Sequence, residues 1–411
     1  MDNHHRGPAV GDDLLPPPAT PVYLDNHATT RVDPRVVEAM LPYFTERYGN
    51  AGSTSHAFGW SAKQAVDAAR ESLATALNAA PREIVFTSGA TESNNLAIRG
   101  VCERARRRGQ HLVSVATEHR AVLDPLAKLA RSGFEVTLLP VRPHGVPDAG
   151  TLDLDQLADA LRDETALVSV MLANNEIGTL QPLAEIGRIC KQRGVLLHTD
   201  ATQAVGKMPV DVEQLQVDLL SFTAHKIYGP KGIGALYVRS RNPLVRLESQ
   251  VDGGRQESGR RSGTLNVPGI VGFAAAVRLC LDELSVEPQR QRQLRDRLFA
   301  GLRERVANVA LNGPALARTD LRLCGNLNCH FADVEGEALM LSMPELAVSS
   351  GSACTSADPE PSHVLRALGL GDDLTRASLR FGLGRFTTAA EIDFAIQTVA
   401  GAVERLRQLR G

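Results

Sequence analysis

The sequence predicts an α/β fold: a large, mainly parallel sheet covered by helices, followed by a smaller α+β lobe. Three observations carry this reading. From residue 84 short apolar runs alternate with amphipathic segments, polar clusters stand directly after those runs, and the alternation stops near residue 267. Alternation of this kind implies parallel strands joined by crossover helices. A chain of 411 residues also exceeds one typical domain, which makes two lobes the natural division.

Residues 84–87, 112–116, 136–141, 167–172, 195–198 and 217–222 read as strands from their apolar and β-branched content. Residues 92–108, 121–131, 155–162 and 183–193 carry apolar positions at helical spacing and read as the intervening helices. Residues 269–306 read as a long charged helical segment leading to the smaller lobe. The expected organisation is a flexible tail over 1–21, a large domain over 22–266 whose first residues pack on the small one, and a small C-terminal domain over 267–411. The tail holds Asp2, Asp12, Asp13 and a Pro16-Pro-Pro run, and lacks both the apolar core of a secretory signal and the character of a transit peptide. His4-His5 within it is read as incidental.

Composition narrows the function classes. With 45 basic and 47 acidic residues and no long basic block, direct nucleic-acid binding is not expected. No apolar run reaches the roughly 18 to 20 residues that span a bilayer, so no membrane association is expected. Six scattered cysteines without a signal peptide point to free thiols in a reducing compartment, the cytoplasm. Cys324 and Cys329 stand at Cys-x4-Cys spacing without a second pair, so they read as structural and no resident metal is expected.

In open sheets of this class ligands lie beyond the carboxyl ends of the strands, and here the polar clusters converge on that rim. They are Ser88-Gly-Ala-Thr-Glu, Thr117-Glu-His119, Asn174-Asn-Glu, Thr199-Asp-Ala-Thr-Gln203 and Thr223-Ala-His-Lys226. Lys226, just past an apolar run, stands at the rim of a core where desolvation favours the neutral amine, which suits Schiff-base chemistry. Taken alone, a lysine beside a strand end is more often simply solvated. Ser88 to Ser93 joins a strand to a helix start, so Ala90, Thr91 and the positive helix end suit a phosphate, and the same residues suit an ordinary helix cap. Asp200 near a core needs a partner; a pyridinium N–H meets that need, and so does a structural salt bridge. His119 can stack on a flat ring or cap a helix.

The order of phosphate loop, His119, Asp200 and Lys226 is that of fold-type I enzymes of pyridoxal phosphate (PLP). With it stand Tyr23-Leu-Asp-Asn-His-Ala-Thr-Thr30, Phe86-Thr-Ser-Gly-Ala-Thr-Glu-Ser93, Ala173-Asn-Asn-Glu-Ile-Gly178, His198-Thr-Asp-Ala-Thr-Gln203, Arg261-Ser-Gly-Thr-Leu265, Val348-Ser-Ser-Gly-Ser-Ala-Cys-Thr-Ser356 and Arg380-Phe-Gly-Leu-Gly-Arg385. On these motifs the chain resembles the long-loop cysteine desulfurases of the class V aminotransferase superfamily, over about residues 22–406.

The resemblance implies a role for each matching residue. Lys226 forms the Schiff base with the cofactor and moves protons, Asp200 keeps the pyridine nitrogen protonated, and Gln203 and Asn175 bond the phenolic oxygen of the ring. His119 stacks on the ring and is a proton carrier. Ala90, Thr91, Thr223 and His225 form the phosphate set, with Thr264 arriving from the other subunit of a homodimer. Arg380 takes the substrate carboxylate, assisted by Asn175. Cys354, among small polar neighbours that predict a mobile exposed loop rather than the usual core burial, takes the sulfur of L-cysteine as a persulfide, leaving alanine. That persulfide is also open to transient iron–sulfur ligation.

The implied sulfur acceptor is a protein such as an iron–sulfur scaffold or sulfur carrier, serving cluster assembly and tRNA thiolation. Selenocysteine lyase, another class V activity, and a PLP-bearing non-catalytic scaffold are the alternatives. The chain departs from the pattern at Thr223, where close relatives carry serine, and in a C-terminal end shorter than that of housekeeping relatives.

Overall fold

The computed structural model describes residues 18–105, 109–350 and 361–409. Its largest element is a seven-stranded sheet in the spatial order Ile84–Thr87, Gly234–Val238, Leu219–Thr223, Leu196–Asp200, Thr165–Ser169, His111–Val115, Glu135–Leu139. Four of the six pairings are parallel, and Gly234–Val238 runs antiparallel to both of its neighbours. The mainly parallel α/β expectation therefore holds, with one antiparallel strand that the sequence reading did not include. Strands Leu219–Thr223, Thr165–Ser169 and His111–Val115 are buried along their whole length, because helices cover both faces of such a sheet.

Local sequence accounts for where the covering helices begin and end. Leu183–Arg193 ends at Gly194, whose φ of 68° is left-handed and costs glycine little. Arg120–Arg131 starts at His119, whose Nδ1 accepts from the Ala121 N–H at 3.0 Å. Helix Ala90–Ala105 starts two residues after strand Ile84–Thr87. That turn is tight: a Cβ on Gly234 would lie 2.7 Å from the Gly89 Cα, so only glycine lets the neighbouring strand pass beneath it.

The segment read as one charged helix over 269–306 is two helices, Val267–Asp282 and Glu287–Arg305. The first is apolar and packs through Ile270, Phe273 and Val277 into the core of the large sheet. The second packs through Leu294, Leu298 and Leu302 into a separate core. A four-stranded antiparallel sheet, ordered Ser349–Ser350, Ser378–Gly382, Asn326–Phe331, Val309–Leu311, forms one wall of this second core, with helix Ala389–Gln408. Val22 and Leu24 join it, and strand Val22–Tyr23 pairs in parallel with Leu346–Ala347. The chain then crosses from the second core to the rim of the large sheet through Asp25 to Thr30, which brings residues distant in sequence to one place. No helix among the described residues is long and apolar enough to cross a membrane.

Candidate active site

A cavity of about 520 Å³ opens at the carboxyl ends of the parallel strands. Ala90, Thr91, His119, Asn175, Asp200, Gln203, Thr223, His225, Lys226 and Arg380 all line it. They come from five strand ends of the large sheet and, for Arg380, from the second sheet, so the fold performs the convergence that the motif order implies. Thr264 is exposed and lies outside this lining. Cys354 lies outside the described residues.

Asp200 ends strand Leu196–Asp200 and is 5% exposed. Asn94 Nδ2 donates to its Oδ2 at 2.7 Å, and the Thr202 N–H donates to its Oδ1 at 2.9 Å. No lysine or arginine among the described residues forms a salt bridge with it, which removes the structural ion pair as an account of this carboxylate. Asn94 Oδ1 and Thr202 Oγ1 are buried beside it without a hydrogen-bond partner. An anion held by neutral donors at a cavity wall suits a cationic N–H from a ligand.

Lys226 follows strand Leu219–Thr223 on a single 3-10 turn. Its Nζ donates to the carbonyls of His27 at 2.6 Å and Ala28 at 2.5 Å. The same turn is tied to the crossing segment by Thr30, whose hydroxyl donates to the His225 carbonyl at 2.9 Å. His225 Nδ1 lies 3.2 Å from Thr29 Oγ1, and burial, aided by Lys226, brings this imidazole down to about 4, so it is neutral at physiological pH. Thr223 donates its hydroxyl to the Ile233 carbonyl at 2.9 Å.

His119 both caps its helix and lines the cavity. Since Nδ1 accepts the Ala121 N–H, a neutral ring carries its proton on Nε2; burial lowers its basicity. Beneath it Glu118 is fully buried, accepts from the Met171 N–H at 2.5 Å, and is pushed well above the usual carboxylate range by desolvation. Asn174 closes the next turn, with Oδ1 accepting from the N–H groups of Glu176 and Ile177 and Nδ2 donating to the Thr117 carbonyl. That closure sets Asn175 on the wall.

Arg380, 1% exposed in the second sheet, spans the two cores. Its Nη2 donates to Asp25 Oδ1 at 2.8 Å and Ser349 Oγ at 3.1 Å, and its Nη1 donates to the Asn175 carbonyl at 3.1 Å. Arg380 Nε is buried without a partner. The chain on either side of residues 351–360 is held close by: Ser349 donates to Asp25 Oδ1, and Ser362 donates to Glu176 Oε2.

At the opposite end of the cavity Ala90 and Thr91 stand at the start of a 16-residue helix, where the macrodipole favours an anion. Glu92, also on the wall, is bound by Arg261 Nε at 2.8 Å and by the Ser88 N–H at 2.7 Å, which offsets its charge. A flat ring fits this donor set. Its cationic nitrogen would sit on Asp200, an anionic group at the Ala90–Thr91 helix end, and an aldehyde carbon at Lys226.

Sequence reasoning did not single out His27, Asn94 or Lys207. His27 is buried with Nε2 unpaired, and its basicity is pushed far down by burial and then by Lys207 and Arg380. The signals were a histidine inside the Tyr23–Thr30 motif and an asparagine, Asn94, on the buried face of the helix.

Fold and site together define an α/β enzyme of the fold-type I, pyridoxal phosphate-dependent kind. Residues 22–394 match the family described as Aminotransferase class-V, and the chain belongs to it. The cysteine desulfurase IscS of Anaeromyxobacter dehalogenans (strain 2CP-C) is 55% identical over 390 residues, covering 95% of this chain and 94% of that protein. A solved structure described as a NifS-like protein superposes with a TM-score of 0.85 at 36% identity, covering 93% of this chain and 99% of the other. Another, described as SspA in complex with cysteine, has a TM-score of 0.76 at 34% identity, covering 89% and 99%.

Proposed function

We propose that this chain is a pyridoxal phosphate-dependent cysteine desulfurase that moves the sulfur of L-cysteine onto Cys354 and releases L-alanine. The observation that carries the reading is the single cavity shared by Lys226, Asp200 and Arg380, with the chain on both sides of residues 351–360 held at its edge. Bound pyridoxal phosphate supplies an electron sink for the substrate carbon. Asp200 would hold a proton on its ring nitrogen, Ala90, Thr91, Thr223 and His225 would hold its phosphate, and Asn175 and Gln203 would hold its phenolic oxygen.

The protein's own groups do the rest. Arg380 offers a planar fork to the substrate carboxylate, a geometry lysine cannot reproduce. Lys226 covalently anchors the cofactor and carries the proton at the substrate carbon, with His119 as a second proton carrier. The Cys354 thiolate attacks the substrate sulfur: an S–S bond forms, the carbon–sulfur bond breaks, and the carbon keeps the electron pair and takes a proton to give alanine. The sulfur then passes to an acceptor protein, an iron–sulfur scaffold or sulfur carrier, in the cytoplasm.

Two-fold pairing completes the site in this reading, with Thr264 reaching the partner's phosphate. Leu41, Phe44, Tyr48, Phe58 and Trp60 are exposed near the chain's N-terminal helices, an apolar patch suited to burial against a second copy. Incubation of the purified, cofactor-loaded protein with L-cysteine tests the function: alanine and one extra sulfur on the Cys354 peptide are expected. Absence of alanine, or sulfur found only on Cys324 or Cys329, overturns it. Sedimentation at twice the chain mass is expected, and a fully active monomer contradicts the pairing.

A further inference from the structure

Gln203 is held from three directions. Its Oε1 accepts from Lys207 Nζ at 2.7 Å and lies 3.1 Å from His27 Nδ1, while its Nε2 donates to the His27 carbonyl at 3.0 Å. An ammonium has only donors and a peptide carbonyl only lone pairs, so one amide orientation alone satisfies both neighbours. That orientation obliges His27 to carry its proton on Nδ1. It also leaves the second Nε2 hydrogen of Gln203 for an acceptor in the cavity.

Lys207 does not line the cavity; it stands behind Gln203, four residues on. We propose that Lys207, with His27, is a positioning residue that locks the Gln203 amide nitrogen toward the phenolic oxygen of the cofactor ring. This rests on the reading of the cavity as a pyridoxal phosphate site.

Without Lys207 the amide keeps only its two His27 contacts, so its nitrogen is held less firmly toward the anionic oxygen, and a nearby positive charge is lost as well. Both changes favour a proton on the covalent lysine–cofactor link. Lys207 is faced by Cys280 from helix Val267–Asp282, by Cys324 and by Arg380, and its charge is felt by His27 and His225. Burial brings its ammonium down to about 8, so it stays the charged donor at neutral pH.

The test is a pH titration of the absorbance of bound cofactor, without substrate, in wild type, Lys207→Met and Lys207→Arg. Lys207→Met is expected to raise the chromophore's pKa by about one unit and to speed cofactor release about tenfold. Lys207→Arg, which keeps a charged donor, should return both toward wild type. His27→Phe keeps the ring shape and removes the second donor; it should shift the pKa in the same direction, and it serves if Lys207→Met does not fold. An unchanged chromophore pKa in Lys207→Met and His27→Phe overturns the proposal. Equal shifts in Lys207→Met and Lys207→Arg also overturn it, since packing alone would then explain them. A wild-type protein that takes up no pyridoxal phosphate overturns the cofactor reading itself, and that failure is visible before any variant is made.

Discussion

Asp25 and Arg380 meet at 2.8 Å although 355 residues separate them, and the pair joins the crossing segment after strand Val22–Tyr23 to the second sheet. Asp25 Oδ1 also receives the Ser349 hydroxyl, so one carboxylate fixes both the guanidinium and the chain entering residues 351–360.

Arg380→Lys is expected to raise KM for L-cysteine at least about tenfold, because a point charge cannot replace two parallel N–H donors, a loss of about 1.4 kcal/mol or more. Cofactor absorbance should not change. Steady-state kinetics beside an absorbance spectrum check both; an unaltered KM removes Arg380 from substrate binding.

Borohydride reduction followed by peptide mass analysis should place the cofactor on Lys226. Lys226→Ala should lose that attachment and about 10³-fold or more of turnover, the scale of a lost acid–base group. An adduct on Lys231 or Lys207 would contradict the assignment.

Asp200→Asn keeps shape and the Thr202 contact but removes the charge that holds a proton on the ring nitrogen. Turnover should fall by about 10²-fold or more with the fold intact by circular dichroism. Normal turnover would mean that the ring nitrogen is held by another group.

Glu176 gives a pH prediction. Desolvation raises its carboxyl to about 7, against the opposing pull of the Ser362 hydroxyl and of Arg380. A carboxyl raised in the folded state binds more protons there than when unfolded, so the ionisation penalty is absent below its unfolded pKa near 4.5 and grows as pH rises toward 7. Glu176→Gln should therefore match wild type at acid pH and exceed it at mildly alkaline pH, by at most about 3 kcal/mol. Thermal melts of both proteins at the two pH values check the sign.

Cys354→Ala should retain colour and melting temperature yet accumulate no persulfide and release no alanine above background, since no nucleophile is left for the sulfur. Alkylation and peptide mass analysis after L-cysteine treatment read this directly. Wild-type alanine release by the variant would refute the assigned nucleophile.

The strands and helices that position the site could be read from the sequence wherever local chemistry sets them. Helix Leu183–Arg193 matches its expected bounds because the apolar spacing is regular and Gly194 supplies the left-handed stop. Strand Gly234–Val238 was missed: it follows a Gly/Pro loop and pairs antiparallel with neighbours that are distant or separated by that loop. The single long helix expected over 269–306 divides around residues 283–286 because its two halves serve different cores.

By itself the sequence determined the α/β class and the rim on which the polar clusters meet, because strand periodicity and the residues directly after each strand are local properties; Arg380 was placed only through the family resemblance, and His27 and Asn94 were not singled out. Tertiary structure alone decided which of those groups hold one another. Asn94 reaches Asp200 across 106 residues, and His27 reaches Gln203 across 176. Asp25 meets Arg380 only because the first strand packs with the second core. Such contacts follow from the order of strands in the sheet and from the path of the chain between cores, and no local pattern records either.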